Sequence, residues 1–498
     1  MKRRKAIQQI GTGISAGILL PGWLAACKED DPRPEVEYDG TIAIIGAGVA
    51  GLYLGDILLS KGIQVKIFEA SSRAGGRIRN LRQFDQPDTA LQFDQDYLPN
   101  NDFPTELGAE RIFGSDSNWA AIINQLNVPS AVFSATSPDH YILDGNFISA
   151  EMALSDPDFI AARAFLETLP DYSGADVTVQ QAIQAAGLSP RVYAILNGWI
   201  GNTFGTSNDR LGIKALAEGL NLLTRDGQQL VLKNNPMLDV VLSRFSNAVS
   251  KTVLNTVINS IAYGGERIIL NGETNGAGGG SFTAEADKVI VTVPLSILKA
   301  GAISFNPPLP GPKVTALSRM AMDACMRIVL EFKKNFWGEG GALNSGFLYG
   351  GTASPEYFNA GIGRSQFTKT LNLTISGPQA EVFSAMEKDA VVAAVLAELD
   401  AVYDGQASLN VRRDLDDESK VVAVIMDWTK EPFIKGGVAY VLPGGTNEDR
   451  NRLATPVNDK IFFAGEATAV AGDFATVNGA LASAERVAAE VVEAILNP

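Results

Sequence analysis

Histidine and cysteine are nearly absent from this chain of 498 residues: His140 is its single histidine, and Cys27 and Cys325 are its two cysteines. A zinc-type centre needs clustered Cys and His at short spacing, so no metal site is expected. With no C-x-x-C pair, thiol redox chemistry is equally unsupported. His140 sits between Asp139 and Tyr141, next to an Asp144-Gly145 turn, and is expected to be a solvated loop residue rather than a base. Cys325 is expected to be a buried small hydrophobe. Basic residues are outnumbered: 41 Lys and Arg against 56 Asp and Glu leave a net charge of −15, which argues against a general nucleic-acid surface.

What is present points to a large folded protein behind a leader. Hydrophobic residues make up 46%, and 49 glycines at that apolar content fit an α/β protein with many tight turns rather than a disordered chain. The length implies two or more lobes. Lys2, Arg3, Arg4 and Lys5 form a basic start, and Ile10 to Leu20 an apolar stretch too short to span a bilayer comfortably. Leu24-Ala25-Ala26-Cys27 then matches a bacterial lipobox, which implies lipidation of Cys27, export, and a lipid anchor in the periplasm or at the cell surface. Residues 1–27 are read as a signal peptide and 28–39 as a polar linker. Arg3-Arg4 leaves the twin-arginine and general secretion routes both open.

The folded chain is organised around Thr41 to Arg77. Thr41 to Ile45 reads as a buried parallel strand, and Gly46, Gly48 and Gly51 follow in G-x-G-x-x-G spacing. The first glycine permits the tight turn, the second a close approach of backbone to a pyrophosphate, and the third close packing of helix on strand. A helix from about Val49 to Lys61, with Ala50 in its first turn, directs its positive end at the phosphates. Gln64 to Phe68 forms the next strand and ends at Glu69, placed to grip ribose hydroxyls. The motif by itself predicts a dinucleotide and does not choose which.

Beyond Glu69 the chain continues Ala70-x-x-Arg73-x-Gly75-Gly76-Arg77, and near its other end Phe463-Ala464-Gly465-Glu466 precedes Ala475-Thr476-Val477-Asn478-Gly479. Together these segments resemble the FAD-dependent amine oxidase family, which includes monoamine, polyamine and L-amino-acid oxidases. The resemblance implies FAD held by Gly46, Gly48, Ala50, Gly51, Glu69, Ala70 and Arg77, with Glu466 on the ribityl chain and Thr476 and Val477 at a helix end facing the flavin. It also places Gly108 and Ala109, in Glu106-Leu107-Gly108-Ala109-Glu110-Arg111, beside the flavin ring, and the backbone of Val257 against adenine.

Four positions bear on the substrate. Arg111 resembles the arginine that clamps the substrate carboxylate in L-amino-acid oxidases, a task suited to a forked guanidinium. Arg327 replaces the lysine with which the family holds a water near flavin N5, which puts efficient reaction with dioxygen in question. Val438 stands where covalently flavinylated members have cysteine, so FAD is expected to be non-covalent. Ala439 and Thr476 occupy the two positions of the aromatic cage of monoamine oxidases, so that cage is not expected.

The expected architecture is α/β: a Rossmann-like FAD-binding domain from 40–115, 228–300 and 436–498, with an inserted α+β substrate domain from 116–227 and 301–435. Residues 116–225 read as mostly helical. The implied activity is oxidative deamination of an amine, chiefly an L-amino acid, with dioxygen as acceptor. A monoamine or polyamine oxidase, a flavin desaturase or dehydrogenase on a non-amine substrate, and a non-catalytic flavin-fold lipoprotein stay open. The oligomeric state is not legible.

Overall fold

A computed structural model of the protein describes residues 36–82, 85–94, 97, 105–132, 138–275, 279–337 and 346–497. The leader, Cys27 and most of the 28–39 linker lie outside the described residues. Short β-branched runs form a five-stranded parallel sheet in the order Ile461–Phe463, Lys288–Val291, Ile42–Ile45, Val65–Phe68 and Thr252–Val253. The central strand is buried along its whole length, which is why Ile-Ala-Ile-Ile carries no polar alternation. Gly46 turns out of it at φ +108°, and the helix Val49–Ser60 follows, packed in one core with the C-terminal helix Val477–Leu496.

An eight-stranded sheet builds the other face of the molecule, in the order Leu91–Phe93, Ala423–Asp427, Cys325–Glu331, Thr370–Ser376, Glu356–Asn359, Phe347–Tyr349, His140–Leu143 and Asn146–Ile148. Its central strands pair antiparallel, with Arg327 opposite Thr374 and Met426. Helices at Asn118–Gln125, Pro157–Thr168, Val179–Ala185 and Ile213–Leu222 fall where helical periodicity predicts them.

Three differences from expectation have physical causes. Residues 116–225 are not all helical: His140–Leu143 and Asn146–Ile148 form a hairpin whose turn residues, Asp144 and Gly145, have φ of 53° and 76°. That hairpin pairs with Phe347–Tyr349, so His140 is a buried strand residue rather than a solvated loop residue, with its ring against Phe147. Leu91–Phe93, inside the expected cofactor segment 40–115, is hydrogen-bonded to Ala423–Asp427 of the eight-stranded sheet. The segment carrying Val257, Thr252 to Ala262, is not one continuous strand: it breaks at Asn255, where φ is 54°, into Thr252–Val253 and Thr256–Ala262.

Candidate active site

A cavity of about 490 Å³ opens at the carboxyl ends of the parallel strands and extends to the eight-stranded sheet. Every residue assigned to the cofactor lines it except Gly51. Gly51 acts from behind: a Cβ there falls 2.1 Å from the carbonyl oxygen of Gly46, so only glycine lets the helix seat on the turn. At Gly48 a Cβ meets nothing within 4 Å, leaving open space before a helix whose first turn has no side-chain cap and no acid. Open space facing uncapped N–H groups fits a pyrophosphate.

The acids at the two strand ends are fixed by local donors. Glu69 Oε2 accepts the Ala47 N–H at 2.7 Å, and Oε1 accepts the Ser71 N–H at 2.9 Å and its hydroxyl at 2.7 Å. Glu466 Oε1 accepts from Arg77 Nη1 at 2.9 Å and from the Ala439 N–H at 3.2 Å, and Arg77 also donates to the Gly437 carbonyl at 2.7 Å. Gly108 packs so closely that a Cβ there lies 1.9 Å from the Arg77 carbonyl oxygen. Thr476 caps the C-terminal helix, its hydroxyl accepting the Gly479 N–H at 3.1 Å, and its side chain lines the cavity with Val477. The cofactor positions therefore meet at one place with the room and donors that a dinucleotide requires.

The substrate positions divide. Arg111 and Arg327 line the cavity, whereas Ala439 does not: it stands in the strand Ala439–Val441, paired with Met320–Met322, and its methyl is buried with Ala215, Leu295 and Met320. Its contribution is the backbone N–H given to Glu466. Val438, beside it, does line the cavity. Cys325 lines it too, with its thiol pushed up to about 11 by burial, as a non-nucleophilic core cysteine requires.

Arg327 belongs to a buried ionic cluster. Its Nη1 donates to Thr374 Oγ1 at 2.7 Å and its Nη2 to Glu110 Oε2. Glu110 also accepts from Arg364 Nη1 at 2.7 Å and from Asn372 Nδ2 at 3.1 Å. Burial lowers Arg327 to about 10, opposed first by Glu356, so it keeps its proton at neutral pH. Arg111 is held more loosely: Nη2 lies 3.4 Å from Glu356 Oε1 and Nη1 3.5 Å from Gln229, with the guanidinium over the rings of Phe113 and Phe347.

Sequence reasoning missed Glu110, Glu356, Thr292 and Asn202, all of which line the cavity. Thr292 donates to the Ile45 carbonyl at 2.9 Å, buttressing the glycine turn. Asn202 ends a single π turn, Gly198–Asn202, and ties it to the sheet by donating to the Thr374 carbonyl at 2.9 Å. Only that irregular turn has a local origin; the other three act through strands remote in sequence.

Comparisons with known proteins agree with this geometry. The profile of the flavin-containing amine oxidoreductases matches residues 49–189 and 219–492. Lysine-specific histone demethylase 1 homolog 1 of Oryza sativa subsp. japonica is 26% identical over 473 residues, covering 91% of this chain and 52% of the relative. Lysine-specific histone demethylase 2 of Homo sapiens is 24% identical over 475 residues, covering 91% of this chain and 53% of the relative. The chain thus spans about half the length of these curated relatives. Among solved structures, cyclohexylamine oxidase from Brevibacterium oxydans IH-35A has the same fold at a TM-score of 0.70 and 21% identity, over 92% of this chain and 99% of that one. Putrescine oxidase bound to putrescine gives 0.71 and 18%, over 91% and 99%. The chain belongs to the flavin-containing amine oxidoreductases.

Proposed function

We propose that the protein oxidises an α-amino acid of the L series to its imine, which hydrolyses to an oxo acid and ammonia, with non-covalent FAD as cofactor and dioxygen as final acceptor, giving hydrogen peroxide. When bound, FAD supplies acceptance of a hydride from the substrate carbon. The chain's residues bind, orient and shield. Glu69 would hold the ribose, Arg77 and Glu466 fix one another at the wall, and Val438 offers no nucleophile for a covalent link. Arg327, braced by Glu110 and Thr374, keeps a positive charge at the cavity wall. Export and lipid attachment through Cys27 belong to the same proposal, on the leader and lipobox alone.

The observation that carries the amino-acid reading is Arg111, a cavity arginine whose two side-chain hydrogen bonds among the described residues, at 3.4 and 3.5 Å, are both long for charge-assisted bonds. A loosely held guanidinium can exchange them for a bidentate carboxylate. In Arg111→Gln, anaerobic flavin-reduction titrations should show amino-acid affinity lowered by about 10- to 100-fold, with affinity for the decarboxylated amine unchanged. Equal loss for both contradicts the role. A second reading, an amine without a carboxylate, is favoured by Glu356, whose own carboxylate already faces Arg111.

A further inference from the structure

Glu356 lines the cavity beside Arg111 and is 2% exposed. Its Oε1 accepts from Arg111 Nη2 at 3.4 Å, while Oε2 has no hydrogen-bond partner among the described residues. A buried carboxylate oxygen without a donor is costly, and native proteins keep such a group where a ligand supplies the missing partner. Burial raises the Glu356 pKa, and the Arg111 and Arg327 guanidiniums oppose that shift. The missing partner is a hydrogen-bond donor, and an ammonium supplies both the donor and the opposite charge. Asp139, a half-buried carboxyl near Arg111, is not equivalent: its Oδ1 accepts the Phe347 N–H, and it does not line the cavity.

The neighbour decides which cation. In an α-amino acid the ammonium and the carboxylate leave from the same carbon, so the groups that bind them must adjoin. Arg111 and Glu356 adjoin, and their contact is longer than the roughly 2.7–2.9 Å of a firm charge-assisted bond. A diamine's far ammonium would instead need a carboxylate remote from Arg111. We propose that Glu356 receives the α-ammonium of the substrate while Arg111 receives its carboxylate, so that the Arg111–Glu356 pair opens around a zwitterion. This rests on the amino-acid reading above and deepens it to recognition of both charges.

Three isosteric probes that lack a Cα–H, and so bind without reacting, separate the two charges: 2-aminoisobutyrate carries both, pivalate only the carboxylate, tert-butylamine only the ammonium. Calorimetric titration of the flavin-loaded protein should show wild type binding 2-aminoisobutyrate at least about tenfold tighter than pivalate. In Glu356→Gln that ratio should fall to near one, through loss of 2-aminoisobutyrate binding and with pivalate binding retained; Glu356→Asp should keep part of it. Equal binding of the two probes by wild type, or an undiminished ratio in Glu356→Gln, overturns the assignment. The wild-type ratio is decisive even if the Gln variant does not fold. Should tert-butylamine match 2-aminoisobutyrate in wild type, the Arg111 reading fails. Glu356 is then judged separately, by whether the Gln and Asp variants lose tert-butylamine.

Discussion

Replacing Glu110 by Gln should be among the most damaging single changes near the cavity, because this carboxylate answers two buried guanidiniums at once. The side chains of Glu110, Arg327 and Arg364 are 3%, 7% and 2% exposed, so water cannot take over the lost charge. Gln keeps one acceptor for Asn372 or an arginine but removes the negative charge that the two guanidiniums share. Removing one partner of a buried pair costs about 3–5 kcal/mol. For a chain of 498 residues the unfolding entropy corresponds to roughly 1 kcal/mol per degree, so the melting temperature should fall by about 3–5 °C. Urea unfolding of the flavin-loaded protein, followed by tryptophan fluorescence, measures the loss at constant slope. Arg364→Met should also destabilise, and the double variant should lose at least about 1 kcal/mol less than the sum, because each change removes the other's unmatched charge. Additive losses, or a Gln variant as stable as wild type, would refute the view that these contacts form one energetic unit.

The glycine turn and the buried histidine give two further expectations. Gly48→Ala should leave the stability of the flavin-free protein within about 0.5 kcal/mol, because its Cβ meets nothing, yet weaken flavin retention by entering the space before the helix. Gly51→Ala should cost about 1–3 kcal/mol or more in that same flavin-free protein, from its clash with Gly46. His140 is buried with neither ring nitrogen partnered among the described residues, and burial lowers its pKa below 6.5. The unfolded chain therefore binds the extra proton first, so His140 costs no stability above about pH 6.5 and progressively more as pH falls below it. Denaturation midpoints of His140→Phe should fall less between pH 7 and 5 than those of wild type; parallel curves would show that His140 is not the group responsible.

Much of the candidate cofactor site was legible because it is local. The spacing of Gly46, Gly48 and Gly51 states a backbone requirement, and the positions that the resemblance assigns to the cofactor, Gly51 excepted, fall on one cavity. Arg111 was legible through its place two residues beyond Ala109, although nothing near it in the sequence names its partner. Glu356 lies 245 residues away and reaches it only because Glu356–Asn359 pairs with Phe347–Tyr349 across the sheet. Glu110 was passed over in a turn read for its small residues, since its importance comes from Arg327, 217 residues on. His140 was misread because the Asp144-Gly145 signal was taken as the edge of a loop rather than as the turn of a hairpin. Ala439 was placed by motif alone, while strand pairing with Met320–Met322 turns its methyl into the core.

The most direct test of the account is anaerobic mixing of the flavin-loaded wild-type protein with an α-amino acid and, separately, with the amine formed by its decarboxylation, following loss of flavin absorbance. If Arg111 holds a carboxylate, the amino acid should bleach the flavin with at least about tenfold greater second-order efficiency, the worth of one charge-assisted hydrogen bond. Bleaching by the amines alone, across a panel of such pairs, would contradict it.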